Sequence, residues 1–354
     1  MKIAVVGMGY WGPNLVRNFL ATEGVRGVVC CDIQKKRLEK VKQRFYGVET
    51  TTSFEEVLGR SDIDAVALAT PVSTHHPLGM KALEAGKHLL VEKPLTLKTS
   101  DAEELIEKAD ANKLVLMVDH TFIYTGAVRK IKEYLVQGEI GDVLYFDSVR
   151  VNLGLFQHDT NVIWDLAPHD ISIMDFLIQK QPLSVMAFGA RHFNGQEDMA
   201  YLVVNFPDNL IAHFHVNWIS PVKVRKILIG GSKLMVVYDD MEPSEKIRLY
   251  NKGVEINGKD SVYQTLVQYR TGDMFAPHID QTEALSLMVE EFVNSITEGR
   301  KPLSDGCSGL NVVRILEAAE RSLRLGGQMV KLSGEANGEH VKKLVRKLKT
   351  LPAN

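Results

Sequence analysis

The chain of 354 residues carries 42 basic against 44 acidic side chains, with 45% hydrophobic and 24% charged residues. That length and apolar content call for two packed domains, and the even charge balance argues against a nucleic-acid partner, which draws on excess Lys and Arg. No apolar run approaches a membrane span and the N-terminus lacks a signal peptide's apolar core, so a cytoplasmic protein with its three cysteines reduced is expected.

In chain order, "KIAVV" reads as a strand that runs into "GMGYWG" and the helical "NLVRNFLAT". Gly7, Gly9 and Gly12 thus form a G-x-G-x-x-G between strand and helix, with Tyr10 and Trp11 inside it. The first glycine permits the turn, the second lets a pyrophosphate approach the backbone, and the third lets helix and strand pack closely. Unpaired N–H groups at the helix start face the phosphates. "GVVCCD" ends in Asp32, placed to accept bonds from an adenosine ribose diol, which favours NAD; the following Lys35, Lys36 and Arg37 keep NADP open.

The strands "DAVALAT", "HLLVEK" and "LVLMVDH" alternate with helical stretches, the pattern of a doubly wound parallel sheet. Thr70, Pro71 and His75 follow the first of these, at the crest that faces a cofactor in such sheets; His75 either touches the nicotinamide side or sits behind a helix cap at Ser73 or Thr74. "LLVEKPLTL" ends a core strand with Glu92 and Lys93 before Pro94, an unusual exit for a lysine.

From "AVRKIKEYLVQG" onward the texture changes to strands joined by short turns, "FPDN" among them, predicting a large, mostly antiparallel sheet with helices on one face. Two glycine-terminated helices, "TEALSLMVEEFVNSITEG" and "CSGLNVVRILEAAERSLRLGG", are expected to close this domain. The boundaries are 1–122 for a dinucleotide-binding Rossmann domain, 123–333 for a substrate and oligomerisation domain, and 334–354 for a tail. The tail's Val341, Leu344, Val345 and Leu348 form one stripe of either a docked terminal helix or a partner-binding or membrane-surface one.

In "WDLAPHD", Asp165 and His169 stack on one helical face at i,i+4. Pro168 suggests a helix's first turn, where the dipole would disfavour imidazolium and keep a histidine base neutral. Arg150 and Asn152 precede this helix, and Lys223 and Arg225 share a strand face; each either meets a substrate's phosphate or carboxylate or lies on a solvated or subunit-facing surface. Tyr124 either lines a sugar pocket or packs in the core. His213 and His215 share a strand face with no nearby cysteine or acid to complete a tetrahedron, so no metal is expected.

The Rossmann motif, "EKP" after a later strand and "WDLAPHD" in a sheet-rich second domain together resemble the glucose–fructose oxidoreductase/inositol dehydrogenase (Gfo/Idh/MocA) family. Within it, "MGYWGPNLVRNF", "VDHTFIYTGAVRKIKEYL" and "NWISPVKVRKILIGGSKLMVVYDD" are similar to the UDP-N-acetylglucosaminuronate 3-dehydrogenase branch. The resemblance implies NAD-dependent oxidation of a secondary sugar hydroxyl, with keto-sugar reduction or inositol-type dehydrogenation as alternatives and a non-catalytic dinucleotide sensor or scaffold as the rival of another class. It puts Lys93 beside the nicotinamide, with Asp165 and His169 completing the catalytic set. Glycines that the family often carries before the Asp and two positions after it are replaced here by Thr160, Asn161 and Ala167. A sheet face hard to leave wet predicts a homodimer or homotetramer.

Overall fold

The computed structural model describes residues 1–154, 160–193, 195–257 and 266–332. The expected terminal helix at 334–354 lies outside them.

Five parallel strands with nearly all-apolar interiors, β1 (Lys2–Val6), β2 (Gly27–Cys31), β4 (Ala65–Leu68), β5 (His88–Glu92) and β6 (Leu116–Asp119), join the short β3 (Glu49–Thr51) in one sheet of order β3-β2-β1-β4-β5-β6. The reversal falls between β1 and β4, where doubly wound sheets open a crevice at their carboxyl ends. Helices α1 (Gly12–Ala21) to α5 (Thr99–Ala111) are the crossovers: α2 (Lys35–Arg44), α3 (Phe54–Gly59) and α4 (His75–Glu84) lie between them. Buried Cys30 and Cys31 are free thiols, and burial pushes them up to about 12 and about 11, so both stay protonated packing groups.

Helix α6 (Gly126–Val136) leads into a nine-stranded sheet. Its long strands are β7 (Val143–Leu153), β8 (Ser184–Ala190), β9 (Met199–Asn205), β10 (Ile211–Asn217) and β11 (Ile219–Gly231). The shorter β12 (Met235–Asp239), β13 (Ile247–Tyr250), β16 (Met274–Phe275) and β17 (Val330–Lys331) complete it; β14 (Gly253–Asn257) and β15 (Leu266–Arg270) form a separate ribbon. Every pairing in the large sheet is antiparallel except β7 with β10. The "FPDN" hairpin joins β9 to β10, with Asp208 and Asn209 both at positive φ, a conformation those residue types tolerate.

Helices α7 (Val162–Ile178) and α9 (Gly306–Arg324) pack on the inner face of this sheet, where Phe146, Ala200, Leu202, Ala212, Phe214 and Val216 are fully buried. Helix α8 (Ala284–Glu298) departs from the expectation that both late helices close the second domain. Its Met288, Val289, Phe292 and Val293 join the core under β1 and α1, with the Phe292 ring edge-on to Phe19 at 6.4 Å, and Glu283 at its start pairs with Arg17. An apolar stripe reports that a helix docks, not on which sheet.

Candidate active site

The three glycines of the first loop do different work, and the space around each shows it. Gly7 has φ +95°, and a Cβ there would lie 2.4 Å from the carbonyl oxygen of Ala69; at Gly12 it would lie 2.0 Å from that of Gly7. Both are closed by packing. At Gly9 a Cβ would meet nothing within 4 Å, so the backbone borders open space at the N-terminus of α1. That is the surface a pyrophosphate needs, and the residues present fit a dinucleotide. Tyr10 and Trp11, edge-to-face at 5.4 Å, stand exposed beside it. Thr70 abuts the loop and Pro71 is exposed at the end of β4.

Asp32 is more occupied than its motif suggests. It is 5% exposed, and its oxygens accept from the backbone N–H of Met8 (2.7 Å), the backbone N–H of Gln34 (2.8 Å) and the Arg37 guanidinium (3.3 Å). It therefore braces the glycine loop, and of roughly four acceptor positions on a carboxylate one remains for a ribose hydroxyl. His75 is corrected from a nicotinamide contact to a buried brace. Its ring nitrogens face the carbonyls of Pro94 and Thr70, each at 2.9 Å, tying the exit of β5 to that of β4; burial holds it below the usual imidazole range. Neither Ser73 nor Thr74 caps α4 through its side chain. Glu92 likewise turns inward, toward Asp119 opposite it on β6. Burial raises both carboxyls, Glu92 the more because the Asp119 charge adds to it.

Lys93 leaves β5 over the crevice and crosses to the second domain. Its ammonium donates to the backbone carbonyl of Asp165 at 2.8 Å and lies 3.6 Å from that residue's carboxylate. The carboxylate is held from its other side by the indole N–H of Trp218 at 2.9 Å. Asn152 stands at the same place, since the tight approach at Gly154 involves both it and Trp218. Asn161, one of the departures from the family's glycines, is the helix cap: its side-chain oxygen accepts from the N–H of Ile163 and Trp164 at 3.1 and 3.3 Å.

That cap corrects the expected position of Pro168. The helix starts at Val162, so Pro168 lies inside it and His169 comes in its third turn, too far along for the dipole to matter. His169 is partly buried, with Phe122 edge-on to its ring at 5.0 Å. Burial first, then the cations Lys93, Arg150 and Arg225, hold its pKa well below the ordinary value, so the imidazole is neutral.

Arg150 is corrected from a substrate contact to a wall group. It is 4% exposed and bound to Asp170 by Nε and Nη2 at 2.6–3.1 Å, while Ser148 donates to the same carboxylate at 2.6 Å. Arg225, opposite Arg150 in the β7–β11 register, is a third exposed and makes a looser 3.3 Å contact to Asp240. Both guanidiniums lie over the ring of Phe122, at 4.5 and 5.6 Å. Lys223 is exposed farther along the strand. Tyr124 belongs to the core, 3% exposed with its hydroxyl 2.9 Å from Ser304; Phe122, two residues earlier, takes the site position. His213 and His215 stack with Tyr201 on the opposite sheet face, and among the described residues no group of three His, Cys, Asp or Glu could hold a metal.

An open phosphate loop, with a lysine at the exit of β5 meeting a carboxylate on α7 one helical turn from a neutral imidazole, is the constellation of a dinucleotide-dependent oxidoreductase. Residues 1–120 match the oxidoreductase family with an NAD-binding Rossmann fold known as GFO_IDH_MocA, and 128–237 match the GFO/IDH/MocA C-terminal domain. The chain belongs to this Gfo/Idh/MocA family. It is 26% identical over 317 residues to UDP-N-acetylglucosamine 3-dehydrogenase of Acidithiobacillus ferrooxidans, covering 88% of this chain and 94% of that one. The solved structure of that enzyme superposes with a TM-score of 0.77 over 92% of this chain and 98% of its own, at 24% identity. Scyllo-inositol 2-dehydrogenase (NAD(+)) of Bacillus subtilis is 25% identical over 92% of this chain and 95% of its own.

Proposed function

We propose that the protein oxidises a secondary hydroxyl of a sugar with NAD, at C3 of a UDP-linked N-acetylated hexose or hexuronate. The observation that carries this is the contact of Lys93 with Asp165, 72 residues away in the chain, with His169 one helical turn beyond Asp165 and within the field of the Lys93 ammonium. When bound, NAD supplies the hydride acceptor. His169, kept neutral by its surroundings, takes the hydroxyl proton. The Lys93 ammonium hydrogen-bonds the oxygen as charge builds on it, and Asp165, clamped by Trp218, fixes the direction of that ammonium. Arg225, half-free at the crevice edge, suits a diphosphate or a sugar carboxylate, with Lys223 and Asn152 as nearby polar contacts.

The uronate that the sequence resemblance favoured is kept beside the neutral sugar, because the curated relative is named for UDP-N-acetylglucosamine. NAD is preferred to NADP because Asp32 fills the ribose end, although Arg37 beside it weakens that preference. The test follows reduced nicotinamide by absorbance with UDP-N-acetylglucosamine, its uronate, free N-acetylglucosamine and scyllo-inositol. The proposal expects turnover that collapses when the nucleotide is removed. Equal turnover of the inositol would favour the polyol reading, and no turnover on any sugar or polyol would sink it.

We also infer self-association through the outer face of the nine-stranded sheet, where Phe188, Tyr201, Ile211 and Leu228 are 36–52% exposed. Among the described residues no helix is long and apolar enough to cross a membrane, and none covers this face. Sedimentation should show a dimer or tetramer that Ile211→Asp dissociates; a monomeric parent protein would refute the inference.

A further inference from the structure

Asp165 is held by Lys93 and Trp218, but the imidazole one helical turn further on is held differently. At His169 the Ser172 hydroxyl donates to the backbone carbonyl at 2.8 Å, and among the described residues no hydrogen bond reaches the ring. A histidine base commonly owes its direction, and the choice of which nitrogen carries the proton, to a hydrogen bond at its far nitrogen. Without one, the imidazole turns about a last torsion whose wells are broad and roughly two-fold. Proton transfer needs a nitrogen aimed at the hydroxyl. Packing therefore has to supply the direction.

One ring does so. Phe122 meets the imidazole with centroids 5.0 Å apart and planes inclined at 69°, the edge-to-face arrangement that aromatic rings favour. Phe122 is itself fixed at both ends. Its backbone lies in the 121–124 turn after β6, where the Ile123 N–H donates to the His120 carbonyl at 3.0 Å and the Thr125 hydroxyl to the Phe122 carbonyl at 2.8 Å. Its ring carries the Arg150 and Arg225 guanidiniums at 4.5 and 5.6 Å, drawn by the negative charge of the π face. Arg150 is locked in turn to Asp170, the residue after His169 in α7. The support closes on itself, from α7 through Arg150 and Phe122 to the imidazole on α7. An apolar ring also directs the imidazole without charging it. The groups that face His169 are Lys93, Arg150, Arg225 and His120, all of which disfavour imidazolium, whereas a carboxylate in the place of Phe122 would stabilise it.

We propose that Phe122 is a positioning residue for His169: its ring, pinned by Arg150 and Arg225, sets the direction of the imidazole in place of a hydrogen bond. Phe122 exchanges no proton. The substrate O–H bond breaks and its proton bonds to His169 as the hydride leaves the same carbon for the nicotinamide, and Phe122 keeps the accepting nitrogen on that line.

The effect on rate rests on the dehydrogenase reading, and the experiment separates the two. Phe122→Leu keeps apolar bulk and removes the flat ring. With UDP-N-acetylglucosamine and NAD it should lose about 10- to 100-fold in kcat, with KM for both within a few-fold of the parent. An unchanged kcat would overturn the proposal, and so would a rise in KM alone, which would make Phe122 a substrate contact. Ring order is read separately, by ¹³C relaxation dispersion of His169 in histidine-labelled protein, with the signal assigned through His169→Asn. The parent ring should hold one orientation, and that of Phe122→Leu should exchange between two. Exchange already present in the parent, or absent from the variant, would overturn the proposal by showing that Phe122 does not hold the ring. If the parent turns over no sugar, the dehydrogenase reading fails and ring order alone decides the positioning role. Should Phe122→Leu not fold, Phe122→Met is read by the same two measurements.

Discussion

The two ends of the crevice are built on different principles. The cofactor end is a matter of backbone: two glycines packed shut, one left open, and a carboxylate that accepts from the Met8 N–H of the loop and from the Gln34 N–H. The proposed reaction end is a matter of side chains from separate elements, where Lys93 at the exit of β5 is held by Asp165 of α7, and Asp165 in turn by Trp218. Backbone sites tolerate little change of shape but depend on few residue identities. Side-chain sites tolerate changes of shape and depend on every identity.

The sharpest break of that contrast comes at the reaction end. Lys93→Met and His169→Asn should each lower kcat by about 10²–10⁴-fold, with NAD affinity, read by fluorescence quenching, within a few-fold of the parent. Loss of NAD binding alongside kcat in both variants would show that the two ends are not separable. At the cofactor end the expectation inverts. Gly12→Ala should fail to accumulate as folded protein, because its methyl would sit on the Gly7 carbonyl. Gly9→Ala should fold with an unchanged melting temperature and lose NAD affinity alone, since its methyl enters the open space. A destabilised Gly9→Ala would contradict the assignment of that space.

The paired arginines separate stability from binding within one wall. Arg150→Met strands the Asp170 carboxylate in the interior and should cost about 3–5 kcal/mol, measured by urea unfolding. Arg225→Met removes a partly exposed guanidinium whose pairing is loose, so stability should move by about 1 kcal/mol or less while KM for a nucleotide sugar rises. Similar unfolding midpoints for the two variants would show that the tight Arg150–Asp170 geometry carries no special weight.

Much of this was legible in the chain. The parallel sheet announced itself in apolar strands, and the phosphate loop in glycine spacing, because both are local requirements of backbone. Lys93, Asp165 and His169 were singled out by motif; spacing put Asp165 and His169 on one helical face, but the approach of Lys93, from the other sheet, could not be computed from spacing. Phe122, Trp218 and the Arg150–Asp170 pair carried no signal of their own. Phe122 was overlooked in favour of Tyr124, the more polar aromatic, and Trp218 reads as core because all but its indole N–H is core. Arg150 and Arg225 become neighbours only through the β7–β11 register, which bridges some 75 residues of chain. Pro168 misled because proline marks a helix's first turn so often; Asn161, a strong cap residue seven positions earlier, was the available sign.

A smaller effect reads the same contrast through pH. His75, His120 and His169 are all held below the ordinary imidazole value in the folded chain, His120 at about 3, chiefly by burial. Below pH about 6.5 the unfolded chain binds protons at these rings that the folded chain refuses, so stability falls as pH falls, by up to about 1.4 kcal/mol per pH unit for each ring. Glu92, Asp119 and Asp175 act oppositely, because their raised values mean the folded chain takes protons first. The absolute slope is therefore a contest between the two sets, and the difference between proteins is the clean quantity. Between pH 6.5 and 4.5 the His120→Gln variant should lose stability less steeply than the parent by about one proton's worth, while Gly9→Ala should follow the parent's slope. Parallel curves for His120→Gln and the parent would mean that the ring takes its proton in the folded state as readily as in water, and that the reaction end holds one fewer neutral imidazole than its geometry indicates.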